Sequence, residues 1–156
     1  SAALGKLENT IFAWGNDVSK LNDNANTWQG EFPVKNIGKD GFEDISPVKS
    51  YPPNSIGLYD MQGNVWEMTS DLFDVNYYKR LNPNKILKNP KGSKKSYNPQ
   101  NPYEVEHVIK GGSFLCHESY CASFRISARM GNAEKSSSDH TGFRTVVTRK
   151  MLESKN

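Results

Sequence analysis

No run of about eighteen apolar residues occurs anywhere in the 156-residue chain, which excludes a membrane-spanning helix. Cysteine is nearly absent: Cys116 and Cys121 are the only two, fewer than a small disulfide-stapled secreted scaffold carries. Apolar residues make up 35% of the chain, which is thin for a compact globule. The net charge of +3 is too small to argue for nucleic acid. There is no internal repeat, no linker marking a second domain, and no Asn-x-Ser/Thr acceptor for N-glycosylation. Ser1-Ala2-Ala3-Leu4-Gly5 has no initiator Met and does not read as a signal peptide, so the chain is expected to enter a larger domain partway.

What is present is aromatic and turn-forming. Seven Phe, seven Tyr and three Trp supply large side chains to anchor an interior despite the low apolar content. Twelve Gly and eight Pro predict many turns and much irregular structure. The length fits one domain over 1–156. Residues 1–20 read as a short helix-like start, with Phe12-Ala13-Trp14 closed by a turn at Gly15-Asn16-Asp17. Asn22-Asp23-Asn24-Ala25-Asn26 resembles the opening of a calcium loop. It is not an EF-hand, because Thr27 stands where that loop needs Gly and Pro33 where it needs Glu. Asp40-Gly41-Phe42 and Tyr51-Pro52-Pro53-Asn54 mark further turns. After Gly63-Asn64, Trp66 and Met68 fit one face of a strand, although Val65, Met68 and Leu72 also fit a helix; the turn favours the strand. Val108-Ile109 reads as a strand, and Phe143, Thr145 and Val147 as alternate positions of a closing one. Residues 79–102 hold Lys79, Arg80, Lys85, Lys88, Lys91, Lys94 and Lys95, no acid and four prolines, the composition of a solvated surface loop. The class is α+β or mostly irregular with short strands.

Chemistry concentrates in Lys110-Gly111-Gly112-Ser113-Phe114-Leu115-Cys116-His117-Glu118-Ser119-Tyr120-Cys121. Two thiols with four residues between them can close a small disulfide, run redox chemistry or hold a soft metal ion, and spacing alone leaves these open. A closed zinc site needs two further ligands at suitable spacing, which the chain lacks. A Cys116–His117 nucleophile pair is disfavoured, since neighbours on a strand point to opposite faces. Ser113 after two glycines could simply cap a turn, and a lone Trp66 belongs more often to a core.

The stretch Lys110–Cys121, with Phe124-Arg125-Ile126-Ser127-Ala128-Arg129 and Thr141-Gly142-Phe143-Arg144, resembles the formylglycine-generating enzyme (sulfatase-modifying factor) family. So do Asn26-Thr27-Trp28-Gln29-Gly30-Glu31-Phe32-Pro33, Asp40-Gly41-Phe42, Pro52-Pro53-Asn54-Ser55-Ile56-Gly57-Leu58-Tyr59 and Gly63-Asn64-Val65-Trp66-Glu67, in order from about Phe12 to Val147. The resemblance implies a C-type-lectin-like fold poor in regular secondary structure, without its N-terminal part. It implies an enzyme that uses molecular oxygen and copper(I) to oxidise a cysteine in a Cys-x-Pro-x-Arg motif of an unfolded sulfatase polypeptide to Cα-formylglycine.

The resemblance also assigns residues. Cys116 and Cys121 would hold copper(I), with Ser113 and Trp66 completing the catalytic set. His117, Tyr120, Arg125, Ser137 and His140 would shape the peptide groove, His140 standing where relatives often carry asparagine. One calcium would take the side chains of Asn26 and Asp40 with the carbonyls of Thr27 and Phe42. A second would take Asp60 and Glu67 with the carbonyls of Gly63 and Val65. Arg144 is expected to be structural, as an ion pair or backbone clamp. A bacterial cytoplasmic setting is favoured over a secretory lumen, with neither membrane nor nucleic acid as partner. The alternative is a non-catalytic binding or assembly module on the same scaffold, since many relatives lack the cysteine pair. An iron-dependent relative is disfavoured by the missing histidine set; only His107, His117 and His140 occur.

Overall fold

The computed structural model describes residues 2–153, with Lys150 described in its backbone alone. Regular structure is sparse. A short helix α1 (Leu21–Asn24) precedes a hairpin of β1 (Gly30–Glu31) and β2 (Lys35–Asn36). Then come β3 (Trp66–Leu72), β4 (Glu106–Lys110), β5 (Met130–Ala133), β6 (Thr141–Gly142) and a terminal α2 (Arg149–Glu153). The last four strands form one sheet in the order β5-β4-β3-β6. Pairing is antiparallel through β5, β4 and β3, and parallel between β3 and β6.

β3 starts where it does because the turn before it reverses the chain. Gly63 and Asn64 both have positive φ, at 73° and 61°. A side chain on Gly63 would run into the backbone carbonyl of Asn26, so the position requires glycine. The strand reading of 65–72 holds, as does that of Val108-Ile109 inside β4.

The core is small: Phe12, Trp66, Ile109, Cys116 and Phe124, with Trp14, Leu21, Met68, Cys121 and Ala122 packed against it. Phe12 stacks on Trp14 at 4.9 Å and on Phe124 at 6.1 Å between centroids. Ala25, Tyr51, Val108 and Phe114 are buried outside this cluster, and buried polar groups fill much of the remaining interior. Asn64 accepts from Ser46 N at 3.0 Å and donates to Ser46 O at 3.1 Å, while its backbone donates to Asn26 O and accepts from Phe114 N, both at 2.8 Å. One residue thus joins three distant segments, which is how a chain with little apolar content holds long loops together. The buried Glu106 carboxylate accepts from Asn98 Nδ2 at 2.9 Å and Asn101 Nδ2 at 3.0 Å.

Two expected elements differ. The helix-like start forms turns and a single 3₁₀ turn at Val18–Lys20, because Gly5, Asn9 and Gly15 take positive φ values of 59°, 55° and 121° that no α-helix accommodates. The closing strand stops at Gly142. Residues 143–147 make no backbone hydrogen bond among the described residues, and Phe143 is 78% exposed. The basic 79–102 stretch does expose its lysines, but its returning arm is tied to the end of β3 and the residues just past it through bridges Leu72↔Ser93 and Asp74↔Tyr97.

Candidate dithiol site

Gly111 and Gly112 turn the chain sharply out of β4, with φ of 93° and 74°. A Cβ on Gly112 would lie 2.8 Å from Phe124 N, so this approach of two backbones also needs glycine. The turn delivers Ser113 into the interior at 1% exposure. Cys116 N donates to Ser113 O at 2.9 Å, and Leu115 N donates to Ser113 Oγ at 3.3 Å. A second turn follows, in which Tyr120 N and Cys121 N donate to His117 O at 3.1 and 2.7 Å. These two turns fold the thiols onto each other with Sγ···Sγ at 2.9 Å. A disulfide bond is about 2.05 Å long, and both cysteines are free.

The two sulfurs differ in environment. Cys116 is 2% exposed, whereas Cys121 is half-buried. A hydrogen bond from Cys116, helped by Ser123, lowers the Cys121 thiol to about 5. The same contact with Cys121, and then burial, pushes Cys116 upward, with Ser113 opposing. Near neutral pH the pair therefore shares one proton, as a buried Cys116 thiol donating to a Cys121 thiolate.

Around the pair, Trp66 is buried in the same cluster as Cys116. Trp28 N donates to Cys116 O at 2.9 Å, tying the first thiol loop to the segment before β1. Tyr120, 69% exposed, stacks on Phe32 with centroids 4.5 Å apart, and Phe32 meets Trp28 edge-on at 5.2 Å. This aromatic row beside the dithiol was missed in the sequence beyond Tyr120. Trp28 and Phe32 stand in a quoted motif, but nothing in their spacing points to Tyr120.

The other expected groove residues make no side-chain hydrogen bond to either thiol among the described residues. His117 sits in a turn rather than on a strand, and its Nδ1 pairs with Ser119 Oγ at 2.7 Å. Arg125 donates from Nε to Ala122 O at 2.9 Å and lines a cleft of about 750 Å³ that neither cysteine lines. Ser137 is exposed. His140 Nδ1 lies 3.0 Å from Asp139 Oδ1, and its carbonyl accepts from Trp66 N at 2.8 Å. No hydrogen bond joins Arg125, Ser137 or His140 to either cysteine.

The two oxygen sets differ in how well they suit a cation. Asn26 is wholly buried, and its Oδ1 has no hydrogen-bond partner among the described residues. Asp40 lies close by: its Oδ2 accepts from Thr27 N at 2.8 Å and Gln29 Nε2 at 2.6 Å, and its Oδ1 from Phe42 N at 3.1 Å. A bare buried oxygen beside a carboxylate is the donor chemistry a hard cation takes, so this set fits calcium. In the second set Asp60 Oδ1 is likewise buried and unpartnered. Both Glu67 oxygens, however, are held by Arg144, which also donates to the carbonyls of Tyr59 at 3.0 Å and Asp60 at 3.3 Å. Arg144 is thus the ion pair and backbone clamp expected of it, and the guanidinium already supplies Glu67 with a positive partner. The second set does not fit calcium as a whole. Among the described residues no cluster of three or more His, Cys, Asp or Glu converges as metal ligands.

The model of the Sulfatase-modifying factor enzyme 1-like domain family matches residues 1–149. The chain is 42% identical over 145 residues to "Formylglycine-generating enzyme" of Mus musculus, covering 92% of this chain and 35% of that protein. It is 40% identical over 147 residues to "Formylglycine-generating enzyme" of Thermomonospora curvata, covering 94% and 46%. It is also 34% identical to "Inactive C-alpha-formylglycine-generating enzyme 2" of Mus musculus, covering 92% and 38%. Among solved structures, Treponema denticola variable protein 1 superposes with a TM-score of 0.64 at 20% identity, over 91% of this chain and 42% of that one, which shows a shared fold. The chain spans less than half the length of these relatives. By family model, by identity and by fold, it belongs to the Sulfatase-modifying factor enzyme 1-like domain family.

Proposed function

We propose that this chain carries the cysteine-oxidising centre of a formylglycine-generating enzyme, converting a cysteine in a Cys-x-Pro-x-Arg motif of an unfolded sulfatase to Cα-formylglycine with molecular oxygen, one oxygen atom entering the aldehyde and the other water, the sulfur leaving as hydrogen sulfide and an external thiol supplying two electrons. The observation that carries the reading is the free Cys116–Cys121 pair, held at 2.9 Å by two tight turns. A two-sulfur donor set suits a soft monovalent ion, and Cys121 is already thiolate near neutral pH. Copper(I), when bound, would supply the centre that engages the substrate thiol and activates oxygen.

The remaining work falls to side chains of the protein. Cys116 and Cys121 would hold the ion. Trp66 and Phe124 seal the inner side of the pair against water, being 5% and 2% exposed. Ser113 fixes the first turn through its backbone and hydroxyl oxygens, and its hydroxyl favours the charged form of Cys116. The exposed Tyr120 on Phe32 offers an aromatic platform at the open side, suited to an extended peptide. Calcium at Asn26 and Asp40 would be structural, bracing the loop whose Trp28 N holds Cys116 O.

A second reading, a non-catalytic module on the same scaffold, draws on the 34% identity to a relative named inactive. Copper(I)-loaded protein incubated in air with a Cys-x-Pro-x-Arg peptide and a thiol reductant separates the two. Mass spectrometry is expected to show thiol-to-aldehyde conversion by the wild type and none by Cys116→Ser or Cys121→Ser. A folded, copper-loaded protein that leaves the peptide unchanged would favour the module.

A further inference from the structure

The dithiol chemistry leaves the basic stretch 79–102 without a task. Residues 81–105 hold no helix or strand, and a run of that length inside a domain is usually either functional or disordered. This one is anchored: Asp74 pairs with Arg80 and accepts from Ser93 Oγ, and Tyr97 bridges to Asp74. Seven of the chain's twenty cations and none of its seventeen acids fall in 79–102, so the loop carries +7 and the rest of the chain −4. Arg80 is taken by Asp74. Lys79, Lys85, Lys88, Lys91, Lys94 and Lys95 are exposed, and none has a carboxylate partner among the described residues. Like charges gathered in an anchored loop repel one another, and an anion brought from outside relieves that repulsion. Arg80, Lys94 and Lys95 also line a cleft of about 550 Å³ with Tyr77, Leu81 and Tyr97, which gives side chains between the charges something to pack against.

The loop sits at a set distance from the thiols. Trp66, at the start of β3, is buried in one cluster with Cys116, whereas the loop is tied to Leu72 at the far end of that strand and to Asp74 just past it. At about 3.3 Å per residue the two ends of β3 lie about 20 Å apart. An extended peptide spans that gap with about six residues. We infer that the 79–102 loop is a second contact for the polypeptide substrate, taking an acidic segment at least about six residues along the chain from the reacting cysteine. This rests on the peptide-substrate reading above and adds to it a charge requirement away from the Cys-x-Pro-x-Arg motif. Nucleic acid or an anionic membrane would lay negative charge against the rest of the chain as well, whose balance is −4, whereas a short acidic segment meets the loop alone. Two weak contacts on one flexible polypeptide reinforce each other through effective concentration, provided that the spacer reaches, and salt screens the charged one.

The test is the fluorescence anisotropy of two labelled peptides titrated with the protein. Each carries a Cys-x-Pro-x-Arg motif and a Gly-Ser spacer of about eight residues, followed by a run of glutamates in one and of glutamines in the other. The glutamate peptide is expected to bind at least about tenfold tighter at low salt, and most of that advantage to vanish at about 1 M salt. A spacer of about two residues, too short to span β3, is expected to forfeit most of it too. Joint replacement Lys85→Gln, Lys88→Gln, Lys91→Gln, Lys94→Gln and Lys95→Gln is expected to level the two peptides, with the glutamine peptide's affinity and the melting temperature unchanged. Binding is read without turnover: a preference that persists in a protein unable to convert the motif sinks the oxidase reading alone, and equal binding by a protein that does convert it sinks this one alone. The inference is also overturned by a preference that survives in the lysine variant or with the short spacer. A thymidine oligonucleotide or a phosphatidylserine vesicle held by the loop more tightly than the glutamate peptide would overturn it as well.

Discussion

Cys116 and Cys121 share a loop, yet their surroundings give them opposite tasks. The buried sulfur keeps its proton because it donates to its neighbour and sits away from water. The half-exposed sulfur loses its proton because it receives that bond and a contribution from Ser123. In metal-free, reduced protein at pH 7, iodoacetamide is therefore expected to modify Cys121 well before Cys116, and the Cys121 rate is expected to fall as pH drops through about 5. Peptide mapping after timed quenching measures both. First modification at Cys116, or a rate profile centred near the ordinary thiol range, would contradict the assignment. Ser123→Ala should shift the profile upward by removing one stabilising partner.

At the scale of elements, the basic 79–102 stretch shows how a loop without apolar periodicity becomes part of the fold. Its anchor is Asp74, just past β3, a carboxylate with only 4% of its side chain exposed. It pairs with Arg80, accepts from Ser93 Oγ at 3.0 Å and accepts from Asn76 N at 2.8 Å. The bond from Arg80 is the leading cause that holds this carboxyl below its ordinary range, against the opposing effect of burial. A carboxyl depressed in the folded state contributes stability that is present above its unfolded value, about 3.9, and is lost as pH falls through the folded value. Acid should thus release the loop below about pH 4, seen as loss of amide protection, relative to the intrinsic exchange rate, at Tyr97, whose N donates to Phe73 O. Asp74→Asn should release it at neutral pH and flatten that acid limb. An unchanged exchange pattern in the variant would mean that the bridges alone hold the loop. The elements also show what a sequence encodes. Turns identified β3 and β4, the first after Gly63-Asn64 and the second before Gly111-Gly112, and each finds a partner in the sheet. Alternation marked 143–147, but a period-two pattern specifies faces and not a neighbour, and no described strand pairs there. The first twenty residues failed for the opposite reason, since positive φ at Gly5, Asn9 and Gly15 overrides local helical spacing.

The molecule as a whole is held by long-range polar contacts more than by its core, and this sets what was legible in the site. The thiol pair was legible because it is local: two turns bring together residues of one short stretch. The stacking of Tyr120 on Phe32 and the joining of three segments by Asn64 were not, because they unite residues far apart in sequence with no periodic signature. Asn26 is the most exposed weakness of such an interior, since its Oδ1 is buried without a donor. A buried amide oxygen left bare costs about 1–3 kcal/mol, and a cation bound there removes that cost only in the folded state. Calcium in hundredfold excess over its Kd would add about 2.7 kcal/mol of stability by mass action. The melting temperature is therefore expected to rise by several degrees with calcium and to return with a chelator. Asn26→Ala is expected to lower the baseline, because Asn26 Nδ2 also donates to Asp44 O at 2.8 Å, and to abolish the calcium response. A response that survives in Asn26→Ala but disappears in Asp60→Asn would move the ion to the other bare oxygen, with Arg144 having to release Glu67 to admit it. Equal melting with calcium and with chelator would leave both oxygens as uncompensated costs of folding, and the Asn26–Asp40 set would then hold no ion.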